Sequence, residues 1–534
     1  MENFLKKYSI FFLVVILVLA VFFRLYELKT IPPGLYPDEA MNGTNALEAN
    51  TTNEYKVFYP DNNGREGLFI NIQAQAIKVF GNEPWALRIV SVFFGILTVL
   101  GTYLLTRKLF EMESIALFAS FFLATSFWHI NFSRIGFRAI MAPMFLVWGL
   151  YFLFVSLEKK NFLWPLIGGL LFGVGFHSYI AYRAMPIILL PAIFVLFKNR
   201  KFMTIILFVA GATIAISPLF FYFYHNPQDF FGRTSQISVF TSPTLVKDLI
   251  INTAKTVGMF FVAGDFNWRH NIAGAPQLWW PVAILFLIGI IISVKKIILK
   301  QKNYWILFLW LILSLGPVII SNEGLPHALR AIIVIPAAMI FAALGLDWLI
   351  SKIKSLFEKQ KEKYPNSAQQ INRIKKEFIV LLFVFLIAIA VNSYFQYFKK
   401  WGPNPLVADL FNENYTKIGY YLRHLPDDTK KYVFINDGDR VWEKSIPHQV
   451  LMFLSDTASP ENQRKKNIIY VFPQDIDSTL EKIKNEQSAE QVKIFLLISD
   501  PVFRQKIEDK LIYIYTYKDN GIIIQHKLTP PEKI

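Results

Sequence analysis

Two carboxylates stand side by side in "YPDEAMNG", Asp38 and Glu39. A carboxylate held next to a hydroxyl can take its proton and so make it a nucleophile. Arginines and histidines recur further along, in short polar breaks between apolar runs. "NGREGLF" supplies Arg65 and Glu66, "WALRIV" supplies Arg88, and "HINFSRIGFRAIMAP" supplies His129, Arg134 and Arg138. "GFHSYIAYRAMP" contributes His177, Tyr179, Tyr182 and Arg183. "AGDFNWRHNIAGAPQLWW" contributes Asp265, Asn267, Arg269, His270 and Asn271, and "SNEGLPHALRAI" contributes Glu323, His327 and Arg330. Guanidinium groups bind phosphate through forked, charge-assisted hydrogen bonds. Arg, His and a few acids gathered at one face would line an electropositive, water-facing cavity. Such a cavity suits a phosphate headgroup on a lipid tail, with one carboxylate as general base for an acceptor hydroxyl.

Each residue also has a plainer reading. An Arg at the end of an apolar span often only reaches for the headgroups. A His there, such as His129, commonly serves as a hydrogen-bonded interfacial residue. A DE pair in a loop is usually solvated or caps a helix. "NGT" (42–44) and "NTT" (50–52) match glycosylation sequons, a match that arises often by chance. The pattern as a set, with every member at the same end of its span, is what these readings do not explain.

The elements that must position these residues follow from composition. Of 534 residues, 54% are hydrophobic and 18% charged, against about 25% charged in soluble chains. Mean hydropathy is +0.37. The chain therefore reads as a membrane protein, and its net charge of +16 reports topology, not nucleic acid. It has no cysteine, which excludes disulfides and cysteine–zinc sites. Eleven apolar runs are long enough to suggest spans: 8–23, 86–106, 114–131, 139–157, 163–180, 184–197, 202–223, 278–294, 303–320, 331–350 and 378–396. Lys-rich connections at 107–108, 158–160, 198–201, 295–302 and 351–377 mark the cytoplasmic side. The N-terminus is then cytoplasmic, and the loop carrying Asp38 is outside. An odd number of spans puts the C-terminus outside as well.

The first outer loop, 24–85, is far longer than a simple connection. "GLFINIQAQAIKVFG" places Phe69, Ile72, Ala76, Ile77 and Phe80 on one face and Asn71, Gln75 and Lys78 on the other, as in a helix lying on the membrane surface. "SPTLVKDLIINTAKTVGMFF" is a second such candidate. After the last span, "KYVFIN", "NIIYVF", "VKIFLLI" and "LIYIYTY" read as strands. "KDNG" before "IIIQHKL" is a hairpin signal. The expected organisation is a membrane domain over 1–396 and an extracytoplasmic α/β domain over 397–534.

These features resemble the GT-C fold, polyprenyl-phosphate-sugar-dependent glycosyltransferases. The resemblance is to the family-39-like branch of protein O-mannosyltransferases and lipid A aminoarabinose transferases. It rests on "RLYELKTIPPGLYPDEA", on "REGLFINIQAQAIKVFGNEPWALRIVSVFFGILTVLGTYLLTRKLF", and on the outer-loop stretches "GDFNWRHNIAGAP" and "PHALRAI". Residues 1–350 carry it. Where the lipid A enzymes have "KPPL", this chain has Arg65-Glu66-Gly67-Leu68. The resemblance implies that Asp38 is the catalytic acid position of the "DE" motif and that Glu39 orients it or meets the acceptor. It makes Arg65, Arg134 and Arg138 candidates for the donor phosphate. Arg183, Arg269, His270, His327 and Arg330 become candidates for phosphate or sugar. Glu66, His177, Tyr179, Asp265 and Asn267 complete the expected donor-binding set.

The expected activity is transfer of a sugar from a polyprenyl-phosphate donor to an acceptor hydroxyl on the outer face, with inversion and Asp38 as base. The acceptor would be a protein, a lipid or a cell-wall glycan. The expected location is a plasma membrane, in multi-pass form, with membrane lipid and no nucleic acid as partners. No cofactor is expected: carboxylates and His share loops, but their spacing demands no metal. The main rival is a transporter or flippase of lipid-linked sugars. Transporters place ionisable groups near the bilayer midplane, whereas the middles of these runs carry almost no charge. A third reading, a membrane anchor for the C-terminal domain, leaves the long first loop unexplained.

Overall fold

The computed structural model of the chain describes residues 2–159, 161–236, 238–436, 440–441, 444–445, 448–485, 492–497, 500–511, 514–519 and 522–527. All eleven apolar runs are helical over most of their length. Seven helices are long and apolar enough to cross a membrane: Pro84–Phe110, Arg138–Ser156, Ile180–Lys198, Phe202–His225, Trp280–Ile298, Ile332–Lys363 and Pro365–Trp401. Ser9–Leu25, Glu113–Thr125, Leu163–His177 and Asn303–Ile319 are shorter apolar helices and match the other four runs. This is a multi-pass helical membrane architecture, as expected.

The chain divides into two compact units, 1–28 with 88–403 and 29–87 with 404–534. In the first, the apolar window of Ile332–Lys363 is 83% buried and that of Pro365–Trp401 only 11%. The former, like Arg138–Ser156 at the same 83%, runs through the unit's interior, while the latter turns its apolar side chains outward, where lipid would meet them. Glycine sets one of the central contacts. A Cβ on Gly289 would fall 1.8 Å from the Phe341 carbonyl oxygen, and one on Gly345 2.0 Å from that of Leu285. Helices Trp280–Ile298 and Ile335–Lys363 thus touch backbone to backbone, the use of small residues typical of membrane helices.

The second unit joins the first long loop to the C-terminal segment, whereas the sequence reading placed residues 29–87 in the membrane domain. Leu35, Ala40, Ala46, Ile70 and Ala74 share one apolar core with Ile418, Leu422, Val433, Leu451 and Phe495. The Leu35 amide donates to Thr416 Oγ1 at 2.9 Å. Helix Pro37–Thr52 leads to an antiparallel pair, Phe58–Tyr59 with Arg65–Glu66, and then to helix Leu68–Phe80. The C-terminal part is α/β. Its five-stranded sheet runs Ile468–Val471, Lys430–Phe434, Val492–Leu496, Ile522–Lys527, Ile514–Asp519. The first three strands are parallel, and the last two pair antiparallel with Ile514 opposite Lys527. All five expected strands occur. The Asn520-Gly521 turn lies outside the described residues.

The face assigned to the surface helix needs correction. Leu68–Phe80 buries Phe69, Ile70, Gln73, Ala74 and Ile77, while Phe80 is 44% exposed. Gln73 lies on that buried face, and its amide nitrogen donates to the Leu87 carbonyl at 3.0 Å. The helix packs into the core of its own unit on that rotated face. The second candidate is observed as helix Leu245–Gly258, which buries Asn252 and Thr256.

Candidate active site

In the second unit, Asp38 and Glu39 occupy the first turn of helix Pro37–Thr52, where carboxylates meet unpaired amides and a favourable helix dipole. They are not equivalent. Glu39 is fully buried and accepts the Tyr36 amide at 3.2 Å, which makes it a cap. Asp38 is half-buried, and its Oδ1 accepts from Asn62 Nδ2 at 2.8 Å. Asn62 is the hydrogen-bond partner of the Asp38 carboxylate among the described residues, and it engages Oδ1.

Arg65 is buried and forked onto the same helix. Its Nη1 donates to Asn42 Oδ1 and its Nη2 to Asn45 Oδ1, both at 2.6 Å, and its Nε donates to the Asp61 carbonyl at 3.3 Å. Asn42 is therefore no accessible glycosylation site. Asn50 is likewise engaged, with the Ala74 carbonyl and the Tyr55 hydroxyl. Glu66 is buried in the short antiparallel pair.

In the first unit, the loop 263–278 and the turn before Ile332 assemble a polar cluster. Asp265 Oδ1 accepts from the Asn267 amide at 2.8 Å. Its Oδ2 accepts from the Ala328 amide and from His270 Nδ1, each at 2.8 Å. Arg269 Nε donates to His270 Nε2 at 3.1 Å. These partners fix His270 as the neutral tautomer with its proton on Nδ1. The His327 ring lies 5.0 Å from the His270 ring, and its Nδ1 is 3.9 Å from Asp265 Oδ2.

Burial, then the neighbouring Arg269 charge, pulls His270 down to about 4, against the opposing bond from Asp265. Burial, then His270 and Arg330, holds His327 well below the usual imidazole range. Burial pushes Asp265 up, but the His270 bond leads a larger set of opposing effects and leaves its carboxyl below the usual range. Asp265, His270 and His327 offer ligand atoms within 4.8 Å of one another, a group able to hold a metal ion. A cation there would have to replace the His270 proton and sit beside Arg269, so the donor set as arranged is a hydrogen-bonded network.

The remaining expected residues are dispersed over the first unit. Arg134 is buried. Its Nη1 donates to the Phe23 carbonyl at 3.0 Å, and its guanidinium lies over Tyr397 at 5.1 Å and Phe398 at 5.0 Å. Both rings come from the π-helical turn Phe395–Trp401, a distortion often found at functional sites. Arg138 and Arg269 are half-buried, the latter 5.6 Å from the Phe137 ring. Arg183 donates to the Phe230 carbonyl at 2.9 Å and lies over that ring at 4.2 Å. Arg330 is clamped by the Glu323 carboxylate at 2.9 Å and by the Ser321 hydroxyl. His177 Nε2 lies 2.9 Å from the Ala215 carbonyl, and Tyr179 is half-buried beside it in sequence. The structure brings Asp265, Asn267, Arg269, His270 and His327 together, with Arg330 beside them, and leaves Arg183 and His177 elsewhere.

Two polar residues escaped sequence reading. Arg24 is fully buried, with Nη2 at 2.7 Å from His129 Nδ1. It ends an apolar run and so reads as a headgroup anchor. Gln277, two positions before the Trp279-Trp280 pair, carries no charge and gives no signal.

The dolichyl-phosphate-mannose-protein mannosyltransferase family matches residues 68–223, under half of the chain. Among curated proteins, none matches the sequence significantly. Among solved structures, ArnT from Cupriavidus metallidurans bound to undecaprenyl phosphate superposes with a TM-score of 0.58 at 14% identity, covering 98% of both chains. ArnT in its apo state gives 0.55 at 16%, again over 98% of both. An oligosaccharyltransferase from Archaeoglobus fulgidus gives 0.47 at 14%, over 85% of this chain and 64% of that one. The chain has a GT-C membrane fold like that of ArnT.

Proposed function

We propose that the chain is an integral-membrane glycosyltransferase. It moves a sugar from a polyprenyl-phosphate donor to an acceptor hydroxyl, with inversion at the anomeric carbon and Asp38 as general base. The observation that carries this reading is the ArnT-like fold over 98% of both chains. The family match over 68–223 supports a lipid-phosphate sugar donor.

In the reaction, the acceptor oxygen attacks the anomeric carbon and the carbon–oxygen bond to phosphate breaks. The bonding pair leaves with the polyprenyl phosphate, and the acceptor proton passes to Asp38 Oδ2. Direct displacement inverts the carbon. The leaving phosphate needs countercharge more than a proton, and guanidinium groups supply it. Among the arginines, Arg138 and Arg269 best fit this role. Both are half-buried, so each guanidinium is in part open to a ligand, whereas Arg65 and Arg330 are buried, 2% and 6% exposed. Asp265 and His270 fix the Nε of Arg269, and so the direction of its fork. Glu39 caps the helix that presents Asp38.

The test is an assay on the full chain in nanodiscs with polyprenyl-phosphate sugars and acceptor-bearing membranes. The expected result is release of polyprenyl phosphate together with sugar on an acceptor. Movement of intact lipid-linked sugar between leaflets, with no transfer, would contradict it and favour a flippase.

A further inference from the structure

One cavity of the first unit takes no part in the roles above. It lies between the stretch 122–127, the loop 271–279, the start of helix Trp280–Ile298 and the stretch 389–396 of Pro365–Trp401. None of its lining residues is charged. Amides from Asn271, Gln277, Asn392 and Gln396 share its wall with the indoles of Trp279 and Trp280.

Gln277 is 5% exposed, yet neither its Oε1 nor its Nε2 has a hydrogen-bond partner among the described residues. Leaving both ends of a buried amide unpaired is unfavourable, so the site suits something that donates and accepts at once. One bridging water would be the simplest occupant. A water needs roughly 10–15 Å³ of such space, and the cavity offers about 160 Å³, enough for a ring-sized molecule.

The backbone guards this arrangement. A Cβ on Gly264 would stand 2.9 Å from both Asn271 Nδ2 and Gln277 Nε2. Asn271 in turn bonds the Asp265 and Ala275 carbonyls, so the cavity shares its loop with the Asp265–His270–Arg269 network. Hydroxyl groups satisfy both ends of an amide, and the apolar faces of a sugar ring pack on indole. A charged ligand would find no counter-ion in this wall.

We propose that this cavity is a subsite for an uncharged sugar ring, with Gln277 bonding its hydroxyls and Trp280 packing on its face. The proposal rests on the glycosyltransferase reading and adds to it the sugar's charge class. The test is saturation-transfer NMR on the full chain in nanodiscs, with glucose, mannose, galactose, arabinose and N-acetylglucosamine as neutral probes. Glucuronate and glucosamine are the charged ones. Signal is expected from at least one neutral sugar, with a fivefold or greater loss in Gln277→Leu, a near-isosteric change that removes the unpaired amide. Trp280→Ala, at a side chain 58% exposed and so tolerant of change, is expected to give the same loss. No signal from any neutral sugar, signal from charged sugars alone, or signal unchanged in both variants would overturn the proposal. Sugar transfer by wild type without such binding would sink the subsite alone. Binding without transfer would sink the transferase reading alone.

Discussion

Asp265 and Asp38 are the two aspartates that carry the roles proposed here, one in each unit, and their surroundings separate structure from chemistry. Asp265 is 4% exposed and accepts from two backbone amides and His270. Asp38 is half-buried and bonded by Asn62 alone among the described residues. A carboxylate surrounded by fixed donors is an organiser, since taking a proton would break what it holds. One with an open oxygen can act as a base. The arginines divide by burial. Arg65 and Arg330 are buried, while Arg269 is half-buried with its Nε on His270.

This contrast can be broken by mutation. Asp265→Ala strands two backbone donors and His270, at about 1–3 kcal/mol each, and is expected to lower the thermal midpoint sharply or abolish folding. A midpoint within a few degrees of wild type, by differential scanning fluorimetry in detergent, would show the network to be ornamental.

The next effect is on pH dependence, where the two units behave alike. His270 in the first and His448 in the second are each pushed down to about 4, foremost by burial. Their ordinary value is near 6.5. Between those values the unfolded chain binds protons that the folded chain refuses, so stability rises with pH there. Each buried imidazole is expected to contribute on the order of 3 kcal/mol that is present above pH 6.5 and lost as pH falls to 4. His270→Gln should flatten part of that slope in denaturant titrations run at several pH values.

Arg65→Lys comes third. Lysine cannot span Asn42 and Asn45 as a fork, and a loss of about 1.5–3 kcal/mol is expected, read as a lower urea midpoint. Asn62→Ala is the smallest. It removes one hydrogen bond to Asp38, about 1 kcal/mol, and should slow single-turnover transfer severalfold while barely moving the thermal midpoint. An unchanged transfer rate would mean that Asn62 does not position that carboxylate.

How much of this was legible depends on range. The eleven runs became helices because length and apolarity are local properties. Glu39 as a cap was one of the plain readings of a DE pair, since a capping residue needs only its own helix. The second unit was hidden because its core joins segments far apart, as the Leu35–Thr416 bond across 381 positions illustrates. The buried face of Leu68–Phe80 differs from the expected one because it includes Gln73, whose partner, Leu87, lies 14 positions on and outside the helix. The sequence named Asp265, His270 and His327 one by one. Their meeting depends on the turn at Ala328, 63 positions from Asp265. Gln277 gave no signal, because an unpaired amide is a property of its surroundings.

The account is tested most directly by single-turnover transfer with Asp38→Asn and Asp265→Asn, each checked for folding and donor binding. Asp38→Asn is expected to bind donor as wild type does and to lose transfer by about 10²–10⁴-fold, with wild-type product inverted at the anomeric carbon. Transfer by Asp38→Asn within tenfold of wild type, or a product that retains the donor's configuration, would contradict it.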